Sequence, residues 1–283
     1  MDALETKVRA FYDEGPEGEA ASLAYIDVMG DSWFHGDWNV QKAGGSPREA
    51  AQAMLRRLID RAGLHGGSRV LEFGAGAGGG AVDIATMAGA TVVGVSNTES
   101  LNVRARRLAA DRGVRHLTSF ITLGDEDYKS FTAWPAASFD AVLFMESVCH
   151  LPDKQAFFDA AHRIIKPGGR LVGLDWLQRP YGRHRTPETI GPLIDAVCEH
   201  FRLAPPLGTL ESYTMMMRAA GFDVTHAADE YPEELCLGNT EAPDVWMTYQ
   251  GRSGELIRAG KQALDAARAA GVFTVGWWAA MRA

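Results

Sequence analysis

The sequence has little of several things that would otherwise place a protein in a class at once. It has three cysteines (Cys149, Cys198 and Cys236), odd in number and widely separated. That argues against a disulfide framework and fits a reducing, cytoplasmic setting. No two of them stand at the short spacing of a zinc site, so no metal is expected. No apolar run reaches the roughly 18 residues needed to span a bilayer. The opening MDALETKVRAFYDEG lacks the apolar centre of a signal peptide. Basic residues are in deficit, with 28 Lys and Arg against 36 Asp and Glu and a formal net charge of −8. A surface that neutralises phosphates needs the opposite balance, so nucleic acid is not expected as a partner. Internal repeats and low-complexity tracts are also missing.

What is present is ample apolar material, 46% of 283 residues, enough for one large α/β domain or two smaller ones. Residues 1–65 predict helices, with a short stripe at Val8, Phe11 and Tyr12 and a stronger one at Ala50, Met54, Leu58 and Ile59. The stretch between them, GDSWFHGDWNVQKAGGSP (30–47), is rich in aromatics and breakers and predicts a loop. From Arg69 onward short apolar runs alternate with helix-length segments: RVLEF (69–73), TVVGVS (91–96), TSFITLG (118–124), FDAVLFM (139–145) and GRLVGLDW (169–176). Near-continuous apolar strands of this kind indicate a parallel sheet covered on both faces. Helices are expected to begin near Gly79, Ser100, Lys154 and Thr186. The polar, Pro/Gly-interrupted LQRPYGRHRTPETIGP breaks the alternation and marks the start of an inserted helical cap, about 178–212. Helix and strand signals return at Tyr213–Ala220 and Phe222–His226. An amphipathic helix over roughly Ser253–Ala270, stopped by Gly271, then leads to the strand-like VFTVGWWAAMR.

The sharpest feature is RVLEFGAGAGGGAVDIA, a strand running through Gly74, Gly76, Gly78, Gly79 and Gly80 into a helix. Glycines belong where backbone must turn at positive φ or approach a ligand closely. The string satisfies G-x-G-x-x-G, so an NAD site has to be weighed. Against it, Glu72 is acidic where a dinucleotide strand ends apolar, and the second strand ends in Ser96–Asn97 rather than Asp or Glu. A carboxylate beside the turn suits a ligand carrying an ammonium group. The plainer reading is that Glu72 caps a neighbouring helix.

E-x-G-x-G-x-G at the end of a first strand resembles motif I of the class I S-adenosylmethionine-dependent methyltransferases. IIKPGGRL (164–171) resembles that family's turn into its fifth strand, GDEDY (124–128) its acidic position near adenine, and the closing helix–strand segment its antiparallel last strand. The resemblance covers roughly 65–283. It implies an α/β, Rossmann-like fold with a seven-stranded, mostly parallel sheet and an antiparallel last strand, behind a helical N-terminal lid (1–65). It also implies S-adenosyl-L-methionine as cofactor. Carried over by position, Glu72, Gly74 and Gly76 would hold the methionine moiety. Ser96 and Asn97 would meet the ribose, where an acidic residue is commoner, and Gly124 and Asp125 the adenine. Met145 would line the same site, and His35, in WFHGDW, would close over it.

Methyl transfer from a sulfonium is an in-line displacement helped by positioning and exclusion of water. Oxygen and nitrogen acceptors call for a base; alkene acceptors leave a carbocation that needs aromatic faces or a carboxylate. FMESVCHLPDK (144–154) sits at the carboxyl end of the fourth strand, the edge that faces the ligand crevice in open α/β sheets. Its Glu146 and His150 are the candidate catalytic residues. The segment resembles that of sterol, tocopherol and geranyl-diphosphate C-methyltransferases, which implies a glutamate that stabilises or deprotonates a cation. The plainer readings are a helix-capping or arginine-paired glutamate and a hydrogen-bonded loop histidine. Tyr25, Trp33, Trp176 and Tyr181 would wall a lipophilic acceptor site. Arg179, Arg183, His184 and Arg185 read as a solvated loop as easily as a diphosphate clamp. The leading expectation is therefore C-methylation of a prenyl or terpenoid natural product, with cyclisation open if a cation forms. An O- or N-methyltransferase of an aromatic natural product, an NAD-dependent oxidoreductase and a non-catalytic cofactor-binding regulator are the alternatives. The N-terminal helix and aromatic loop suggest a homo-oligomer.

Overall fold

The computed structural model describes residues 3–123, 131, 134–183, 185–229 and 243–283. Gly124, Asp125 and the rest of GDEDY, together with His184 and Cys236, lie outside the described residues. Seven strands form one sheet: β1 (Arg69–Phe73), β2 (Thr91–Ser96), β3 (Thr118–Thr122), β4 (Phe139–Met145), β5 (Ile165–Gln178), β6 (Phe222–Asp229) and β7 (Phe273–Arg282). Their order is β3-β2-β1-β4-β5-β7-β6. All pairs through β5 are parallel, and β7 runs antiparallel to both β5 and β6. The order reverses between β1 and β4, so the crevice opens where Phe73 and Met145 end their strands.

Helices cover both faces. Helix α4 (Pro47–Ala62) starts from a capping box between Ser46 and Glu49, has Pro47 in its first turn and stops at left-handed Gly63. Its Met54, Leu55 and Leu58 belong to the core with Val70, Ala81 and Val92. Thus α4 is part of the sheet's own cover. The earlier helices α1 (Ala3–Tyr12) and α2 (Ala21–Met29) pack with Trp246 and Ile257 in a smaller cluster. Helices α5 (Gly79–Ala88) and α6 (Glu99–Asp111) follow β1 and β2. On the opposite face, helix α7 (Lys154–Ile164), capped by Asp153, packs Phe157 and Phe158 with Phe73, Phe144 and Trp278.

Three local expectations need correction. The 30–47 stretch is not all loop: α3 (Trp38–Lys42) forms there because the Asp37 carboxylate accepts from the backbone N–H of Asn39 and Val40. Strand β5 begins at Ile165 rather than Gly169, since Ile165 pairs with Phe139 before a bulge and Arg170 resumes pairing with Ala141. The third strand stops at Thr122.

The inserted stretch does hold a helix, α8 (Pro187–Phe201), starting at Thr186 as predicted. Helix α9 (Leu210–Ala219) then leads to β6. Helices α10 (Pro243–Thr248) and α11 (Gly254–Ala269) precede β7. Among the described residues no helix is long and apolar enough to cross a membrane.

Candidate active site

The glycine turn leaves β1 with Gly74 at φ +77°, and the N–H groups of Gly74 and Ala75 both donate to Val95 O at 3.0 Å. A Cβ on Gly74 would fall 2.3 Å from that of Ser147, so only glycine lets the turn pass under the end of β4. Glu72 is 2% exposed. Burial raises its carboxyl to about 8, against a hydrogen bond from the Ala81 backbone that favours the ionised form. Its Oε2 has no hydrogen-bond partner among the described residues. A neighbouring-helix cap therefore satisfies only part of this carboxyl. The other part is buried and unpaired, the state that a cationic ligand would relieve.

From this turn a cavity runs toward the chain's N-terminal helices. Glu72, Gly74, Gly76, Ser96, Asn97, Met145, Glu146, His150, His35, Tyr25, Trp33 and Trp176 all border it. Ser96 is tied to the backbone of Thr98, and Asn97 Oδ1 accepts from the Thr98 hydroxyl at 3.0 Å. Tyr181 is 49% exposed and is not among the lining residues. Its neighbours from Pro180 to Arg183 are exposed as well. Arg179, in the same stretch, is spent on Asp229, Thr274 and the carbonyls of Gly271 and Phe273. A diphosphate clamp built on it is thereby withdrawn. Trp33, expected beside the acceptor, lies over the glycine turn, with its ring 3.1 Å from where a Gly76 Cβ would stand.

Glu146 follows β4 at φ +54°, an uncommon backbone for a non-glycine residue. Its own N–H donates to Leu174 O at 2.9 Å. The side chain caps no helix and pairs with no arginine among the described residues. Instead Oε1 accepts from the His35 backbone N–H (2.6 Å) and His35 Nδ1 (2.7 Å), while Oε2 accepts from Trp176 Nε1 at 2.6 Å. His150 donates from Nδ1 to Arg202 O at 3.0 Å, so its Nε2 is the acceptor and takes the Tyr12 hydroxyl at 3.3 Å. Burial lowers His150 to about 4, which keeps the ring uncharged. The wall is aromatic: Tyr25 stands 5.4 Å from Trp33 and 5.6 Å from Trp246, and Trp176 stands 5.0 Å from Phe201.

Several lining residues escaped sequence reading, among them Tyr12, Trp246 and Lys261. Arg268 also escaped it; its Nη2 donates to His35 Nε2 at 2.8 Å. A signal existed for the last two. Ile257, Gly260, Lys261, Leu264, Ala267 and Arg268 form one buried face of α11, and charges on a buried helical face call for partners.

A model of the methyltransferase-domain family matches residues 48–227. The chain belongs to this family. It is an S-adenosylmethionine-dependent methyltransferase, and the dinucleotide alternative falls with that match. Methyltransferase GfsG of Streptomyces halstedii is 27% identical over 259 residues, covering 90% of this chain and 87% of that one. A 27-O-demethylrifamycin SV methyltransferase of Amycolatopsis mediterranei is 30% identical over 212 residues, 73% of each chain. The geranyl diphosphate C-methyltransferase of Streptomyces coelicolor, solved with S-adenosyl-L-homocysteine, shares the fold with a TM-score of 0.74 at 18% identity. That superposition covers 100% of this chain and 99% of that one.

The residues present fit this cofactor. Glu72 Oε2 is orphaned beside the turn, and the cradle is kept open by glycine: a Cβ at Gly80 would lie 2.2 Å from Glu72 Oε1 and 2.7 Å from Met145 Cε. Gly80→Ala is accordingly expected to displace the carboxyl and weaken S-adenosylmethionine binding by about tenfold or more, in line with the ~1–3 kcal/mol of overpacking. Calorimetry checks this, and an unchanged Kd would remove Glu72 from the cofactor site. Among the described residues, no cluster of three or more His, Cys, Asp and Glu is placed to hold a metal.

Proposed function

We propose that this methyltransferase alkylates an alkene carbon of a lipophilic, isoprenoid-type small molecule in natural-product biosynthesis. The carrying observation is Glu146, a carboxylate held by three donors on the wall of a cavity lined by Tyr25, Trp176, Phe201 and Trp246. The bound cofactor supplies an electrophilic methyl group. The alkene's π pair forms the new C–CH₃ bond while the C–S bond breaks and sulfur keeps its electron pair. The acceptor is left cationic, and it ends either by losing a proton or by capture with a second alkene, which closes a ring. Glu146 offers a fixed negative charge to that cation without first having to reorganise, and the rings offer their π faces. The aromatic wall keeps water from quenching the cation. Glu72, Gly74, Gly76, Ser96, Asn97, Met145 and His35 are proposed as the cofactor's contacts, with Gly124 and Asp125 retained from the family pattern.

A second reading, O-methylation, is favoured by His150. Its neutral Nε2 accepts a hydroxyl hydrogen bond from Tyr12 at the cavity wall, and an acceptor hydroxyl could use it as a base. The 27-O-demethylrifamycin relative is named for that chemistry. A geranylated phenol, which offers an alkene and a hydroxyl in one molecule, separates the two when supplied with trideuteromethyl cofactor. A deuterated methyl on carbon is expected. A deuterated methoxy group would overturn C-methylation in favour of the second reading. Transfer only to polar amines would overturn both.

A further inference from the structure

Arg268 is buried at 2% exposure near the end of α11, 233 positions from the histidine it touches. A guanidinium only donates. At 2.8 Å from Arg268 Nη2, His35 Nε2 must therefore carry the lone pair, and the ring proton sits on Nδ1, aimed at Glu146 Oε1 2.7 Å away. The ring is faced by Glu146 from the end of β4, Arg268 from α11, and the Trp176 and Phe273 rings at 6.0 and 6.4 Å. Asp265 lies 3.9 Å from Arg268 Nη1. The segment that carries His35 is pinned on either side. Gly79 N–H donates to Asp31 O at 3.0 Å, and Arg57 donates to Asp37 Oδ2 at 3.1 Å. Between those anchors the His35 backbone N–H and its ring Nδ1 both donate to Glu146 Oε1, and the ring's other nitrogen faces Arg268.

We propose that Arg268 is a positioning residue. By donating to Nε2 it holds His35 as a ring with a single proton, on Nδ1, and so keeps Glu146 aimed at the acceptor with its negative charge uncancelled. This rests on the reading that Glu146 faces the acceptor. Without Arg268, Nε2 loses its donor and can take a proton from solvent. The ring would then stand as a cation against Glu146 and cancel the charge that the reaction uses. The logic is that of an outer partner fixing the tautomer of an inner histidine.

Long-range nitrogen–proton spectra of ¹⁵N-histidine-labelled protein, with His35 assigned through His35→Gln, test the ring state without any acceptor. Failure of the acceptor reading therefore leaves that arm intact. In the unaltered protein Nε2 is expected to be unprotonated and Nδ1 protonated; in Arg268→Met, both protonated near neutral pH. With the geranylated phenol as probe, Arg268→Met is expected to lower kcat by about 10–100-fold while KM for the cofactor stays within about threefold. In a His35→Gln background it should cost nothing further. An unchanged ring spectrum, unchanged turnover, or additive losses would each overturn the proposal. If Arg268→Met does not fold, Arg268→Lys decides. A loss seen with His35 present and absent from the His35→Gln background supports the proposal, and equal losses in both overturn it.

Discussion

Glu146→Gln is expected to lower turnover by about 100-fold or more while cofactor affinity changes little. The size follows from what the carboxylate touches. Three N–H donors converge on it, two on Oε1 from His35 and one on Oε2 from Trp176. An amide can accept at only one of its two ends, so its NH₂ must face a donor whichever way it turns. The substitution thus removes the charge facing the cavity and also breaks one half of the cradle. Glu146→Asp keeps the charge but draws it back by a methylene, and should fall between the two. Steady-state kinetics alongside cofactor calorimetry checks this. A Glu146→Gln enzyme with normal turnover would take the carboxylate out of the reaction, leaving it as a strut that fastens His35 and Trp176 over the sheet edge.

Cofactor binding should release protons, and it should tighten as pH rises toward 8. Burial holds the Glu72 carboxyl at about 8, so near neutral pH it is mostly protonated in the free enzyme. A ligand bearing an ammonium group favours the ionised form. Binding at pH 7 should therefore expel about nine-tenths of a proton, and the apparent Kd should rise about tenfold for each pH unit below 8. The sign for folding is opposite. A carboxyl whose folded pKa is raised stabilises the free protein below its unfolded pKa, and that contribution is lost as pH climbs through about 8. Glu72→Gln should abolish the proton release and leave binding weak at every pH. Calorimetry in buffers of different ionisation enthalpy measures the release directly. A pH-independent Kd between 6 and 9 would show that Glu72 keeps one charge state throughout.

The parts legible in the sequence share a property: each is written in neighbouring residues. The strand entering Gly74 through Gly80 is contiguous, and the apolar runs of β1, β2, β4 and β5 announce a covered parallel sheet by composition alone. Helix α4 is legible from its stripe of Ala50, Met54, Leu58 and Ile59. Where the structure departs from the sequence pattern, a local cap or a backbone bulge changes the balance. Asp37 caps α3 inside a breaker-rich stretch, and a bulge carries β5 back to Ile165. Residue type alone places Tyr181 on the acceptor wall, yet its side chain is 49% exposed.

The sequence by itself determined the architecture, the glycine turn with its acidic neighbour, and the placing of Glu146 and His150 at the crevice edge. These depend on periodicity and on backbone needs that act over a few residues. Only the tertiary structure decided what Glu146 does with its oxygens. Its partners come from the N-terminal segment and β5, and Arg268 on α11 reaches it through His35. Spacings of 30, 111 and 233 residues leave no periodic trace. Each of these side chains alone reads as an ordinary polar residue. Burial brings them together, because a carboxylate removed from water must find donors, and the sheet edge with its covering helices determines which donors are in reach.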